Sequence, residues 1–82
     1  GSIQGIYNAI DQIYQQKPLL TSYEIPAITS GEDAQAEVYV TLETENQAEQ
    51  ASGVGIDFDV LKASAKAYIQ ASTQLKKSEE NK

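Results

Sequence analysis

Apolar residues recur three and four positions apart over Ile3, Ile6, Tyr7, Ile10, Ile13 and Tyr14. This spacing puts one apolar stripe on a helix. Ser2 is a fitting N-cap, and Pro18 restricts Lys17 so that the helix stops shortly before it. From Leu19 the period shortens. Leu20 to Thr29 carries Thr21, Tyr23, Ile25 and Ile28, residue types that suit a strand. Pro26 has no N–H for a ladder, which makes that strand an edge or kinks it. Ser30-Gly31-Glu32-Asp33 reads as a turn. Ala34 to Glu43 then alternates, with Ala36, Val38, Val40 and Leu42 on one face and Gln35, Glu37, Tyr39, Thr41 and Glu43 on the other. After the polar stretch Thr44–Gln50, Ala51 to Ile56 forms a third strand with Gly53 and Gly55 on one face. Asp57 or Asp59 caps a second helix running to about Lys77, and Ser78 to Lys82 read as a frayed end.

The order helix, three strands, helix is an α+β class with helices on one face of a small antiparallel sheet. Such a sheet has one apolar face, yet the Ile3-Ile6-Ile10-Ile13 stripe and the stripe Leu61-Ala65-Tyr68-Leu75 both need cover. A partner surface is implied. The second helix also carries Ala63, Ala67 and Ala71, a seam of small residues spaced by four that admits a closely packed neighbour.

Composition narrows the chemistry. With 82 residues the chain holds one small domain or part of one. Six Lys against twelve acidic residues give a net charge of −6, and there is no Arg, so nucleic-acid and anionic-membrane partners are disfavoured. There is no Cys for a disulfide or thiolate and no His for general base or metal work. No apolar run approaches the ~20 residues of a bilayer span, and the first residues lack a signal peptide's basic start and apolar core. A cytoplasmic, non-catalytic module is the expectation.

The carboxylates Asp57, Asp59, Glu32 and Asp33 have no neighbouring nucleophile, so capping and solvation are their simplest roles. They also lack the multi-oxygen loop of a calcium site, and no metal is expected. In Gly53-Val54-Gly55-Ile56-Asp57-Phe58-Asp59 the glycines let another backbone or a ligand come close. One possible ligand is a small zwitterion, its carboxylate on backbone N–H groups and its ammonium on an Asp or a carbonyl.

Three stretches carry a resemblance. Tyr23 to Val38 resembles the Y-x-x-x-A-x-x-x-G-x-D-A-x-A/G-x-V stretch of the C-terminal regulatory domain of the 2-isopropylmalate synthase family. Gly53 to Val60, followed by Ala63-Ser64-Ala65-Lys66-Ala67-Tyr68, is similar to that family's G-x-G-x-D-x-D-I … A-S-x-K-A-Y signature. Gly1 to Ile10 is similar to its G-P-I-D-A-x-Y-x-A-I helix, with Ser2 in place of the usual Pro and Gln4 where an acidic residue is common. The resemblance implies half of a pseudo-symmetric double βββα domain. Residues 1–18 would be the helix closing a truncated first unit, 19–77 the whole second unit and 78–82 a tail.

It further implies that the chain is a fragment of a longer synthase. A second copy of the domain and the catalytic barrel of the parent chain would be its partners. L-leucine would be the effector, and a divalent metal would belong to the barrel rather than to this fragment. The family's effector contacts fall on Gly1, Ile3, Leu20, Tyr23, Ala27, Ala34, Ala36 and Val60. Small Ala27, Ala34 and Ala36 would make room for a branched side chain lined by Leu20 and Val60. Two alternatives stand beside this expectation: a citramalate synthase domain sensing isoleucine, and a ligand-free dimerisation module.

Overall fold

The computed structural model describes residues 2–28 and 34–80. Its elements are α1 (Ile3–Tyr14), β1 (Leu19–Ile28), β2 (Ala36–Glu43), β3 (Gln50–Asp57) and α2 (Val60–Glu80), the α+β order expected. The expected turn Ser30-Gly31-Glu32-Asp33 lies outside the described residues, as does Gly1.

The Ser2 hydroxyl oxygen accepts the Gly5 N–H at 3.2 Å and so caps α1. The helix stops earlier than the Pro18 restriction required. Gln15 takes a left-handed conformation (φ 53°, ψ 50°), and the Gln16 N–H turns back to the Asp11 carbonyl at 3.1 Å. That reversal satisfies carbonyls the helix end leaves free.

The three strands form one antiparallel sheet in the order β1-β2-β3. The β2–β3 hairpin pairs without interruption from Ala36↔Asp57 to Glu43↔Gln50. Its loop is held by Thr44, whose hydroxyl accepts the Ala48 and Glu49 N–H groups. β1 is the expected edge strand. Its pairing slips between Leu20 and Ser22 and again between Glu24 and Ala27, beside Pro26, which has no N–H to give.

Alternation decides the faces as the sequence implied. Ala36, Val38, Val40 and Leu42 are all buried, while Tyr39, Val54 and Ile56 on the opposite face stay exposed. α2 covers the inner face with its seam of small residues. A Cβ on Gly53 would stand 2.0 Å from the Ala67 carbonyl oxygen, and one on Gly55 1.9 Å from that of Ala63. The helix backbone therefore lies directly on the β3 backbone. The stripe expected through Leu61 and Ala65 is not the buried one, because Leu61 is exposed and Ala65 only half-buried. The buried face comprises Ala63, Ser64, Ala67, Tyr68, Ala71, Ser72 and Leu75, which follows from the need to match two glycines with alanines. α2 also continues through Ser78–Glu80, beyond the end expected at Lys77.

Asp59 is the residue that caps α2, its carboxylate accepting the Leu61 N–H at 2.8 Å. Asp57 serves the preceding turn, accepting the Asp59 N–H at 2.9 Å and pairing with Lys66 Nζ at 2.8 Å. These two contacts, the Lys66 hydrogen bond foremost, hold the Asp57 carboxyl below the usual carboxylate range.

Candidate functional site

The polar groups that converge in this fold do so where α1, α2 and β1 meet. Ser64 is at the centre, 1% exposed on the buried face of α2. Its hydroxyl is 2.7 Å from the Tyr23 hydroxyl of β1, and its carbonyl accepts a long 3.5 Å hydrogen bond from the Tyr7 hydroxyl of α1. The rings of Tyr7 and Tyr68 stack with centroids 3.9 Å apart and planes inclined by 15°. The Tyr68 hydroxyl then donates to the Asp11 carboxylate at 2.6 Å. Farther along the same helix pair, the Tyr14 hydroxyl meets that of Thr73 at 2.8 Å, and the Gln16 amide donates to the Ser72 carbonyl at 3.1 Å.

α1 is thus fixed to α2 by aromatic rings that bury area while each hydroxyl finds a partner. Burial, reinforced by neighbouring Tyr23, pushes the Tyr7 hydroxyl up to about 12 despite the opposing bond to Ser64. Burial and the Asp11 carboxylate raise Tyr68 as well. Both hydroxyls are neutral donors at ordinary pH.

The effector residues named from the family pattern are spread over the inner side of the sheet. Tyr23 and Ile3 are half-buried and pack against the core, as does Val60 in the first turn of α2. Ala36 is buried at the start of β2, opposite Asp57 of β3 and Ile28 of β1, and half-buried Ala34 lies just before it. Val60 and Ser64 are one helical turn apart, so Tyr23 is tied to the helix face next to Val60. Leu20 is not part of this group. It pairs with Leu42 at the other end of the sheet and is 44% exposed. Ala27 sits opposite Glu37 in the backbone register, and its side chain lies outside the described residues, like Gly1.

The glycine pair does not hold a ligand. Gly53 and Gly55 face α2, whose carbonyls occupy the space a zwitterion would need. Two clefts of about 470 and 660 Å³ border Gln15, Gln16 and Lys17, and no effector residue lines either. Among the described residues no three Cys, His, Asp or Glu converge as a metal site. No helix among them is long and apolar enough to cross a membrane. Sequence reading passed over Ser64 and Asp11. Ser64 stood in the quoted A-S-x-K-A-Y signature without a role of its own, and Asp11 was only a polar residue at helical spacing from Tyr7.

Comparison with known proteins finds a family and relatives for this chain. The family model described as the LeuA allosteric (dimerisation) domain matches residues 1–76. A 2-isopropylmalate synthase of Listeria monocytogenes is 57% identical over 76 residues, covering 93% of this chain and 15% of the relative. That of Listeria innocua is also 57% identical over the same coverage, and that of Staphylococcus aureus is 51% identical over 71 residues, 87% of this chain and 14% of the relative. The chain therefore spans about 15% of the length of the curated relatives it matches. No solved structure matches it. A family model that covers nearly all the elements, with relatives identical at more than half of the aligned positions, shows that this chain belongs to the LeuA allosteric (dimerisation) domain family.

Proposed function

We propose that the domain senses L-leucine for a 2-isopropylmalate synthase and helps to pair two subunits. The parent enzyme, in the cytoplasm, would join acetyl-CoA to 3-methyl-2-oxobutanoate in a metal-dependent barrel outside this chain. Leucine bound here would lower that activity by feedback. The observation that carries the reading is the family membership, and the position of Tyr23, Ala36 and Val60 against the inner side of the sheet supports it. Gly1, Leu20 and Ala27 complete the proposed effector set by family pattern alone.

The exposed side of α1 supports the proposed division into units. Gly5, Ala9 and Ile13 follow one another at four-residue spacing and all are exposed. α2 presents Ala63, Ala67 and Ala71 to β3 at that same spacing. A preceding sheet would cover α1 as β1–β3 cover α2. Residues 1–18 would then close a first βββα unit, residues 19–77 form the second, and 78–82 trail from it. The second copy of the domain and the barrel are its proposed partners, and the domain itself needs no cofactor.

Feedback requires leucine to favour one arrangement of the paired subunits over another, and a tenfold preference corresponds to about 1.4 kcal/mol. The Listeria and Staphylococcus relatives named above are 2-isopropylmalate synthases, which favours leucine over isoleucine as effector. Calorimetric titration of the whole synthase with leucine, isoleucine and valine tests this. Saturable heat for leucine is expected at the lowest concentration. Stronger binding of isoleucine favours the citramalate alternative, and flat heats for all three leave a dimerisation module without a ligand.

A further inference from the structure

The hydrogen bond between Tyr23 and Ser64 does more than stabilise the core. The Ala63 carbonyl touches the position of Gly55, and Gly55 pairs with Val38, so Ser64 stands beside the Val38 level of the sheet. Tyr23 itself pairs with Val40, two residues farther from Ala36. The Tyr23 side chain therefore leans along the strand, toward the end where Ala36 and Val60 lie. A Phe would be free of that pull. Ser64 is 1% exposed within α2, and its carbonyl also accepts a long hydrogen bond from Tyr7, so the hydroxyl that Tyr23 meets is carried by a buried part of the helix.

We infer that Ser64 is a positioning residue for the effector site, its buried hydroxyl setting the direction of the Tyr23 ring and, through it, the preference between γ-branched and β-branched aliphatic amino acids. The inference rests on the leucine-sensing reading. Ser64 touches no effector; it acts through Tyr23. A wall held by one hydrogen bond discriminates between isomers because a branch moved by one carbon either meets the ring or leaves a gap beside it.

The test uses the whole synthase with S64A and Y23F, singly and together. Leucine and isoleucine inhibition curves, calorimetric affinities and thermal midpoints are measured for each. Each single substitution is expected to raise the leucine half-inhibitory concentration about tenfold and to narrow the leucine-to-isoleucine ratio, with the double variant no worse than either single one. Multiplying effects in the double variant, or an unchanged isomer ratio beside a lowered midpoint, overturn the positioning role. Y23F keeps Ser64 and its helix intact, so it answers even where S64A folds poorly. Loss of leucine binding in the unsubstituted enzyme overturns the sensing reading and this inference with it, whereas unaltered affinity in both variants overturns the inference alone.

Discussion

Replacing Gly53 by Ala adds one methyl group where the β3 and α2 backbones lie directly against each other. The new carbon would lie 2.0 Å from the Ala67 carbonyl oxygen and 2.7 Å from the Ala71 nitrogen, both backbone atoms that no rotamer change can move. An unstrained contact needs about 3.5 Å, so α2 must retreat by about 1.5 Å. A gap of that size forfeits more than half of the dispersion attraction across the layer made by Val38, Val40 and Leu42 with Ala67, Ala71 and Leu75. The strain and lost packing cost about 3 kcal/mol, against a gain of less than about 1 kcal/mol from removing a flexible glycine in a strand. A net loss of roughly 2–3 kcal/mol lowers the thermal midpoint of a domain this size by about 10–20 °C. Circular dichroism melts and urea unfolding of Gly53→Ala measure it, with Ser52→Ala on the exposed side of β3 as control. Gly55→Ala should behave alike, its methyl falling 1.9 Å from the Ala63 oxygen. Because one retreat of α2 relieves both clashes, the double variant should lose clearly less than the sum. A Gly53→Ala protein as stable as the parent, or more so, would refute the claim that backbone-to-backbone contact seats the helix.

Alkaline pH should unfold the domain through Tyr7. Its hydroxyl is raised to about 12 in the folded chain against about 10 when unfolded, so the unfolded state releases its proton first. Stability is full below pH 10 and falls as pH rises toward 12; Tyr7→Phe should flatten that fall in pH-dependent urea midpoints, and an unchanged slope would speak against it. Asp59→Ala should cost about 1 kcal/mol by uncapping the Leu61 N–H, read as a shift in the same midpoints, and no shift would mean that solvent replaces the cap fully. The chain alone should self-associate at micromolar concentration, since Ile13 is 75% exposed on α1, and Ile13→Glu should reduce this in sedimentation velocity. A sharp monomer boundary for the unsubstituted chain would show that α1 needs no cover.

The boundaries of α1, β2 and β3 were legible because their periods are local properties. Three- and four-residue spacing and strict alternation assign faces without reference to the rest of the chain. On α2 the seam of Ala63, Ala67 and Ala71 was legible, as were Tyr68 and Leu75, but Leu61 and Ala65 were set on the buried side wrongly. Leu61 is a better hydrophobe than Ala63, yet Ala63 is buried and Leu61 exposed, because the surface opposite is a pair of glycines that only small residues can meet. Motif resemblance proposed Tyr23, Ala36 and Val60 as effector contacts, and the fold sets all three in or against the core. The resemblance also named Leu20, which the register of β1 carries to the far end of the sheet.

The chain's own order of residues determined the α+β class, the inner face of β2, the Ser2 cap, the edge character of β1 and the family. Tertiary structure alone decided that Gly53 and Gly55 receive a helix rather than a ligand, and that Ser64 joins Tyr23 to Tyr7 across 41 and 57 residues of sequence. Periodicity reports which side of an element is apolar. It carries no record of how deeply two backbones approach, nor of which distant hydroxyl completes a buried hydrogen bond, because those depend on the shapes of both partners together.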